Sequence, residues 1–180
     1  VHTIEPGLYH WVCVLDFKSM YPSIIIKYNI CFTTISKNGT IVSPSGVKFL
    51  SRDEKEGLVP KILSDLMKQR DEIKKKMKNA KDEDQKKYYN GLQQAIKILM
   101  NSFYGVFASS FYRFTNKEIG SSITAFARET VKSIIKDLED KDIKVVYGDT
   151  DSVFFLSPKP NLEESIRFGN DIADEISKKE

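Results

Sequence analysis

The chain has 180 residues and a formal net charge of only +3; it is long enough to bury a core as one domain or part of one, and its overall charge does not mark it as a nucleic-acid binder. Cys13 and Cys31, its only cysteines, fit no metal or redox spacing, and His2 and His10 lie near the start with no partner motif, which excludes a His-based triad or a zinc site. No signal peptide or membrane span is visible: "YPSIIIKYNICF" is too short and too interrupted to cross a bilayer, so the expectation is a soluble intracellular protein.

In chain order, "HWVCVLDF" is apolar on both faces, β-branched and aromatic, and predicts a central strand ending at Asp16. "MYPSIIIKYN" predicts a short helix, with Pro22 tolerable in its first turn. The stretch "SKNGTIVSPSGVKFLSRDEKEG" collects turn signals and predicts a hairpin at Asn38-Gly39 and a subdomain boundary. From Leu58 the apolar period becomes helical through Ile62, Leu63, Leu66, Met67, Ile73 and Met77, until the polar turn "NAKDED" stops it. A second helix is expected from about Gln85 to Ala108, with Leu92, Ile96, Leu99, Met100, Phe103 and Phe107 as one apolar stripe. Two such helices form an antiparallel hairpin. A third helix from about Lys117 to Glu139 leads into "IKVVYG" and its partner strand "SVFFL", and a last one covers about Leu162 to Lys178. The order implies an α+β sheet domain carrying a helical insertion.

Three stretches carry candidate chemistry. In "DFKSMYPSII", Asp16 ends a strand read as buried, where a carboxylate is costly unless paired or coordinated. The chain then enters a helix, so the N–H groups from Ser19 through Met20 to Tyr21 can receive phosphate; an ordinary Asp cap explains the same residues. In "KILMNSFYG", Lys97, Asn101 and Tyr104 share one helix face away from the apolar stripe, either a binding face or a solvated one. Arg70 and Lys74 repeat the pattern on the preceding helix, where two cations at i, i+4 repel slightly and an anionic partner would help. In "YGDTDS", Asp149 and Asp151 stand two residues apart at the mouth of a hairpin: a solvated turn, or a metal site. An EF-hand loop is excluded because Val153, Phe154 and Pro160 stand where oxygen ligands are needed. The D-x-D of a nucleotide-sugar glycosyltransferase stays open on the hairpin alone.

Taken in order, "DFKSMYPSII", "KILMNSFYG" and "YGDTDS" resemble motifs A, B and C of family B DNA polymerases, and the helix bearing Arg70 and Lys74 matches as well. The resemblance runs from about Glu5 to Phe155 and is strongest to archaeal replicative enzymes, with Met20 where leucine is commoner. It implies a polymerase palm, an antiparallel sheet backed by helices, with an inserted fingers hairpin: palm over 1–57, fingers over 58–108, palm again over 109–180. Neither a proofreading exonuclease before the first motif nor a thumb after the last helix is visible, so a piece of a larger enzyme is expected, with thumb, exonuclease and N-terminal domain as partners.

By the same resemblance, Asp16 and Asp151 bridge two Mg²⁺ ions, Asp149 is an accessory carboxylate and the Phe17 carbonyl completes one coordination sphere, with Mn²⁺ as a substitute. Arg70, Lys74 and Lys97 grip the triphosphate of the incoming dNTP, supported by Asn101 and the Ser19–Tyr21 amides. Tyr21 excludes a 2′-hydroxyl, and Tyr104 and Gly105 line the nascent base pair. The implied partners are dNTP and primer-template DNA, with no membrane; the location is cytoplasmic if the source is archaeal, nuclear or viral otherwise.

Overall fold

The structure is a computed structural model that describes residues 2–179. It is mixed α+β, and the chain divides into two compact units, one of residues 1–18 with 127–180 and one of residues 19–126.

The first unit holds an antiparallel sheet of β1 (His2–Thr3), β2 (Val12–Asp16), β5 (Val145–Asp149) and β6 (Ser152–Leu156), in the order β1-β5-β6-β2. In β6 the side chains alternate, and Val153 and Phe155 are fully buried, as expected of a sheet with one covered face. Helix α5 (Leu162–Lys179) packs against β2 on that face: the Cys13 thiol lies 3.7 Å from the Ser165 carbonyl, and a Cβ on Gly169 would meet Cys13 Sγ at 3.1 Å. Burial pushes the Cys13 thiol pKa up. The C-terminal half of α4 (Lys117–Glu139) contributes Val131, Ile134, Ile135 and Leu138 to the same core. At the surface, Lys179 donates to Asp137 at 2.6 Å and Lys141 pairs with Glu175, which holds both carboxyls below their usual range. Both pairs are exposed and contribute little to stability.

The central-strand expectation for "HWVCVLDF" is corrected here. β2 is the edge of the sheet, with Val12 38% and Val14 53% exposed. An apolar run on both faces fits a central strand, yet only pairing decides position, and among the described residues β2 pairs with β6 alone. Asp16, on the same face as Val12 and Val14, is therefore exposed rather than buried.

The second unit contains α1 (Met20–Lys27), the ribbon β3 (Ile41–Val42) and β4 (Lys48–Phe49), α2 (Leu58–Asn79), α3 (Glu83–Ala108) and the start of α4. Pro22 is buried in the first turn of α1, where its missing N–H has no intrahelical partner to lose. The ribbon turns at Ser43–Val47, not at Asn38-Gly39: Ser43 and Val47 are bonded at 2.8 Å, and Gly46 takes the left-handed φ of 85°. Gly39 serves a different need, since a Cβ there would come within 2.5 Å of the Phe49 backbone. Helices α2 and α3 form the expected hairpin across Ala80–Asp82, and Asp82 accepts from the Asp84 N–H as the α3 cap. The apolar stripe of α3 is narrower than its periodicity suggests. Ile96, Met100 and Phe107 are buried together with Gln93, whereas Leu92 and Leu99 face solvent.

Candidate active site

Three aspartates, Asp16, Asp149 and Asp151, fall at one end of the first unit's sheet. Strand register pairs Asp16 with Ser152 and Ser152 with Asp149. Directly paired residues project to the same face, so Asp16, Ser152 and Asp149 form a row across three strands on the face opposite α5. At about 4.8 Å per strand, Asp16 and Asp149 are roughly 10 Å apart at the backbone. Asp151 sits in the turn, and its carbonyl accepts from the Phe17 N–H at 2.9 Å, which ties the second aspartate of the hairpin to the residue following Asp16.

The turn itself is strained. Thr150 has φ 39°, a left-handed conformation in which a β-branched residue is an outlier. The Asp149 carboxylate stabilises it by accepting from the Thr150 N–H at 3.0 Å, and Tyr147 Oη lies 3.5 Å from its other oxygen. Asp149 is thus turned into its own hairpin, and the described residues hold no group of three His, Cys, Asp or Glu side chains close enough to chelate a metal. Asp16 and Asp151 are exposed. Backbone pairing brings the expected metal ligands to one sheet end, while their side chains do not converge.

In the second unit Ser19 precedes α1 in a left-handed conformation (φ 55°, ψ 57°) and makes no side-chain cap bond. Tyr21 stacks obliquely on Tyr104, with ring centroids 4.5 Å apart. Lys97 and Asn101 are exposed along α3. Arg70 is not on a solvated face: it is 8% exposed, in the seam between α2 and α3, and its Nε donates to Gln93 Oε1 at 3.2 Å. Lys74 lies one turn beyond Arg70 on α2, and Lys97 one turn beyond Gln93 on α3. The three cations are therefore spread along the hairpin, about 6 Å of helix rise to either side of the Arg70–Gln93 level.

The family model described as DNA polymerase family B matches residues 2–180. The chain belongs to DNA polymerase family B. Among its curated relatives, the DNA polymerase delta catalytic subunit of Caenorhabditis elegans is 37% identical over 93% of this chain and 17% of its own length. The DNA polymerase of Thermococcus gorgonarius is 37% identical over 97% of this chain and 23% of its own length, and the DNA polymerase zeta catalytic subunit of Drosophila melanogaster is 33% identical over 91% and 9%. The chain thus spans less than a quarter of each of these family B polymerases.

Some of this family B chain's site escapes sequence reasoning. Gln93 anchors Arg70, and its only signal is a polar residue one turn before the buried Ile96 and Met100. Gly105 shows the reverse: a Cβ there would meet nothing within 4 Å, as at Gly91 in the same helix. Neither glycine is required by packing, and each costs the helix about 0.5–1 kcal/mol relative to alanine. Gly91→Ala and Gly105→Ala are each expected to raise the thermal unfolding midpoint by a few degrees. If Gly105 lines the nascent base pair, as the motif resemblance implies, only Gly105→Ala should slow nucleotide incorporation in single-turnover kinetics of the complete polymerase; equal activity of the two variants would remove that role.

Proposed function

We propose that this chain is the catalytic core of a template-directed DNA polymerase that joins a dNTP to a primer 3′-hydroxyl, and that residues 1–57 and 109–180 act as palm and 58–108 as fingers. The observation that carries the reading is the strand register, which brings aspartates of two distant motifs to one sheet end. A glycosyltransferase D-x-D accounts for the hairpin but for neither Asp16 beside it nor the cations of α2 and α3.

The donor set suits Mg²⁺, with Mn²⁺ as a substitute: it consists of carboxylate and carbonyl oxygens with no nitrogen or sulfur. Asp16, Asp151 and the Phe17 carbonyl would hold the ions, with Asp149 in an accessory place. Bound there, two ions supply Lewis acidity at the attacking and departing oxygens. The chain's own residues do the positioning. Asp16 and Asp151 fix where positive charge can sit, and the rigid β2–β6 pairing keeps that place constant between turnovers. Lys74, Lys97 and Arg70 neutralise the triphosphate, and the backbone amides at the start of α1 receive one of its oxygens. Tyr21, on Tyr104, closes the pocket beneath the sugar. Phosphoryl transfer asks little covalent chemistry of a protein, so placement and charge account for most of the rate.

The relatives' greater length supports reading these residues as the core of a longer polypeptide, in which exonuclease, thumb and N-terminal domain lie elsewhere. The cations supply the test. Lys74→Ala or Lys97→Ala in the complete polymerase should weaken dNTP binding or slow the chemical step by about 10- to 100-fold, the worth of one charge-assisted hydrogen bond, with primer-template affinity unchanged. Arg70→Ala should also lower the unfolding midpoint, because it strands Gln93 in the seam. Weaker DNA binding with normal nucleotide kinetics would assign these side chains to the duplex.

A further inference from the structure

Between α3 and α4, where none of the three motifs falls, residues 109–116 display aromatic rings to solvent. Phe111 is 95% exposed, Tyr112 55% and Phe114 55%. Side chains of this size are seldom left in water without a partner in view. The loop is not slack. The Thr115 hydroxyl donates to the Ser109 and Tyr112 carbonyls, and the Asn116 N–H bonds the Phe107 carbonyl at 3.1 Å. Phe114 is anchored by stacking on Phe32 at 5.3 Å, and the Arg113 guanidinium lies 6.0 Å from the Phe114 ring. Phe111 and Tyr112 have no ring partner among the described residues.

Adjoining this loop through Asn116 is an open groove of about 770 Å³, lined by Lys37 and Lys48 from around the β3–β4 ribbon and by Glu118. The groove lining carries two cations, Lys37 and Lys48, and one acid, Glu118, and the exposed Arg113 and Lys117 flank Asn116 in the chain. The helix N-terminus of α4 adds nothing, since the Asn116 side chain already accepts from the Glu118 and Ile119 N–H groups. A cationic groove continuous with unpartnered rings is the arrangement that holds single-stranded nucleic acid, the cations following phosphates and the rings stacking on bases. Paired bases offer no such faces, so the rings favour an unpaired strand over a duplex. The lysines of the groove and Arg113 over the Phe114 ring favour an anionic partner over an apolar polypeptide surface.

We propose that the Phe111–Phe114 loop and the Lys37–Lys48 groove form a sequence-independent platform for unpaired DNA, and that in polymerisation they hold the template strand before it is copied. The role in polymerisation rests on the polymerase reading above; the binding does not.

The experiment measures anisotropy of a fluorescein-labelled 12-nucleotide oligothymidylate with the 180-residue chain in EDTA at low salt, and of a blunt duplex of equal length. Single strands should bind more tightly than duplex. Phe111→Leu with Tyr112→Leu keeps apolar bulk but removes both rings, and should cost at least about fivefold in affinity with an unchanged unfolding midpoint. Lys37→Gln with Lys48→Gln should flatten the dependence of log K on log salt by about 1.4, or 0.7 for each phosphate no longer neutralised. The assay contains EDTA and no nucleotide, so failure of the metal assignment would leave this result untouched. A folded chain that ignores the oligothymidylate, prefers duplex, or binds equally well after the leucine changes overturns the platform.

Discussion

Asp151→Asn in the complete polymerase should reduce primer extension by roughly 10³-fold or more, and Asp16→Ala should do the same. The size follows from the role: losing one ligand of a charge-stabilising centre removes several kcal/mol from the transition state, at about 1.4 kcal/mol per decade of rate. Folding should be spared. Both side chains are exposed, and the bond that ties the turn to β2 uses the Asp151 carbonyl, which asparagine retains. Asp149→Asn should cost less, since asparagine keeps an oxygen for the strained Thr150 N–H. Primer extension over a Mg²⁺ series, with thermal unfolding alongside, reads all three. Near-normal turnover by Asp151→Asn at ordinary Mg²⁺ would sink the two-metal assignment.

The second large effect concerns the sugar. Tyr21→Val should raise ribonucleotide incorporation relative to deoxyribonucleotide by at least about tenfold, because discrimination by exclusion disappears once the excluding ring is gone. Tyr21 stands two residues beyond a left-handed Ser19 and rests on Tyr104, so its position is set by backbone geometry and a neighbouring ring rather than by its rotamer alone. That ring pair also supplies the control. An aromatic pair of this kind is worth about 0.5–1.5 kcal/mol, and Tyr104→Leu removes it as surely as Tyr21→Val does. If selectivity falls in both variants alike, loosened packing is the cause and Tyr21 is no gate. If it falls only at Tyr21, the ring itself excludes the 2′-hydroxyl. The measurement is the ratio of incorporation efficiencies for matched ribo- and deoxyribonucleotides opposite one template base.

Helices α2 to α5 and the β5–β6 hairpin were legible in the chain because their causes lie within a few residues. Apolar spacing near 3.6, the Asp82 cap and the alternating run "SVFFL" each act locally. The stretches "DFKSMYPSII" and "YGDTDS" stood out for a related reason: an aspartate after a strand or in a turn declares itself by its immediate neighbours.

What only the tertiary structure decided is everything that depends on partners distant in sequence. "HWVCVLDF" reads the same whether a strand pairs on one side or both, so its place at the sheet edge was not readable, and with it went the buried setting expected of Asp16. Asn38-Gly39 is a strong hairpin signal, but the close approach of the Phe49 backbone set Gly39 to another task and the turn formed around Gly46. Arg70 reads with Lys74 as a pair of cations that an anionic partner would help, and nothing local shows that the α2–α3 seam closes over it beside Gln93. The row of Asp16, Ser152 and Asp149 is likewise a matter of register, which brings residues some 130 positions apart to neighbouring strands and which no local pattern specifies. Local propensity determined which elements form; long-range pairing and packing decided which of their faces meet water and which side chains meet one another.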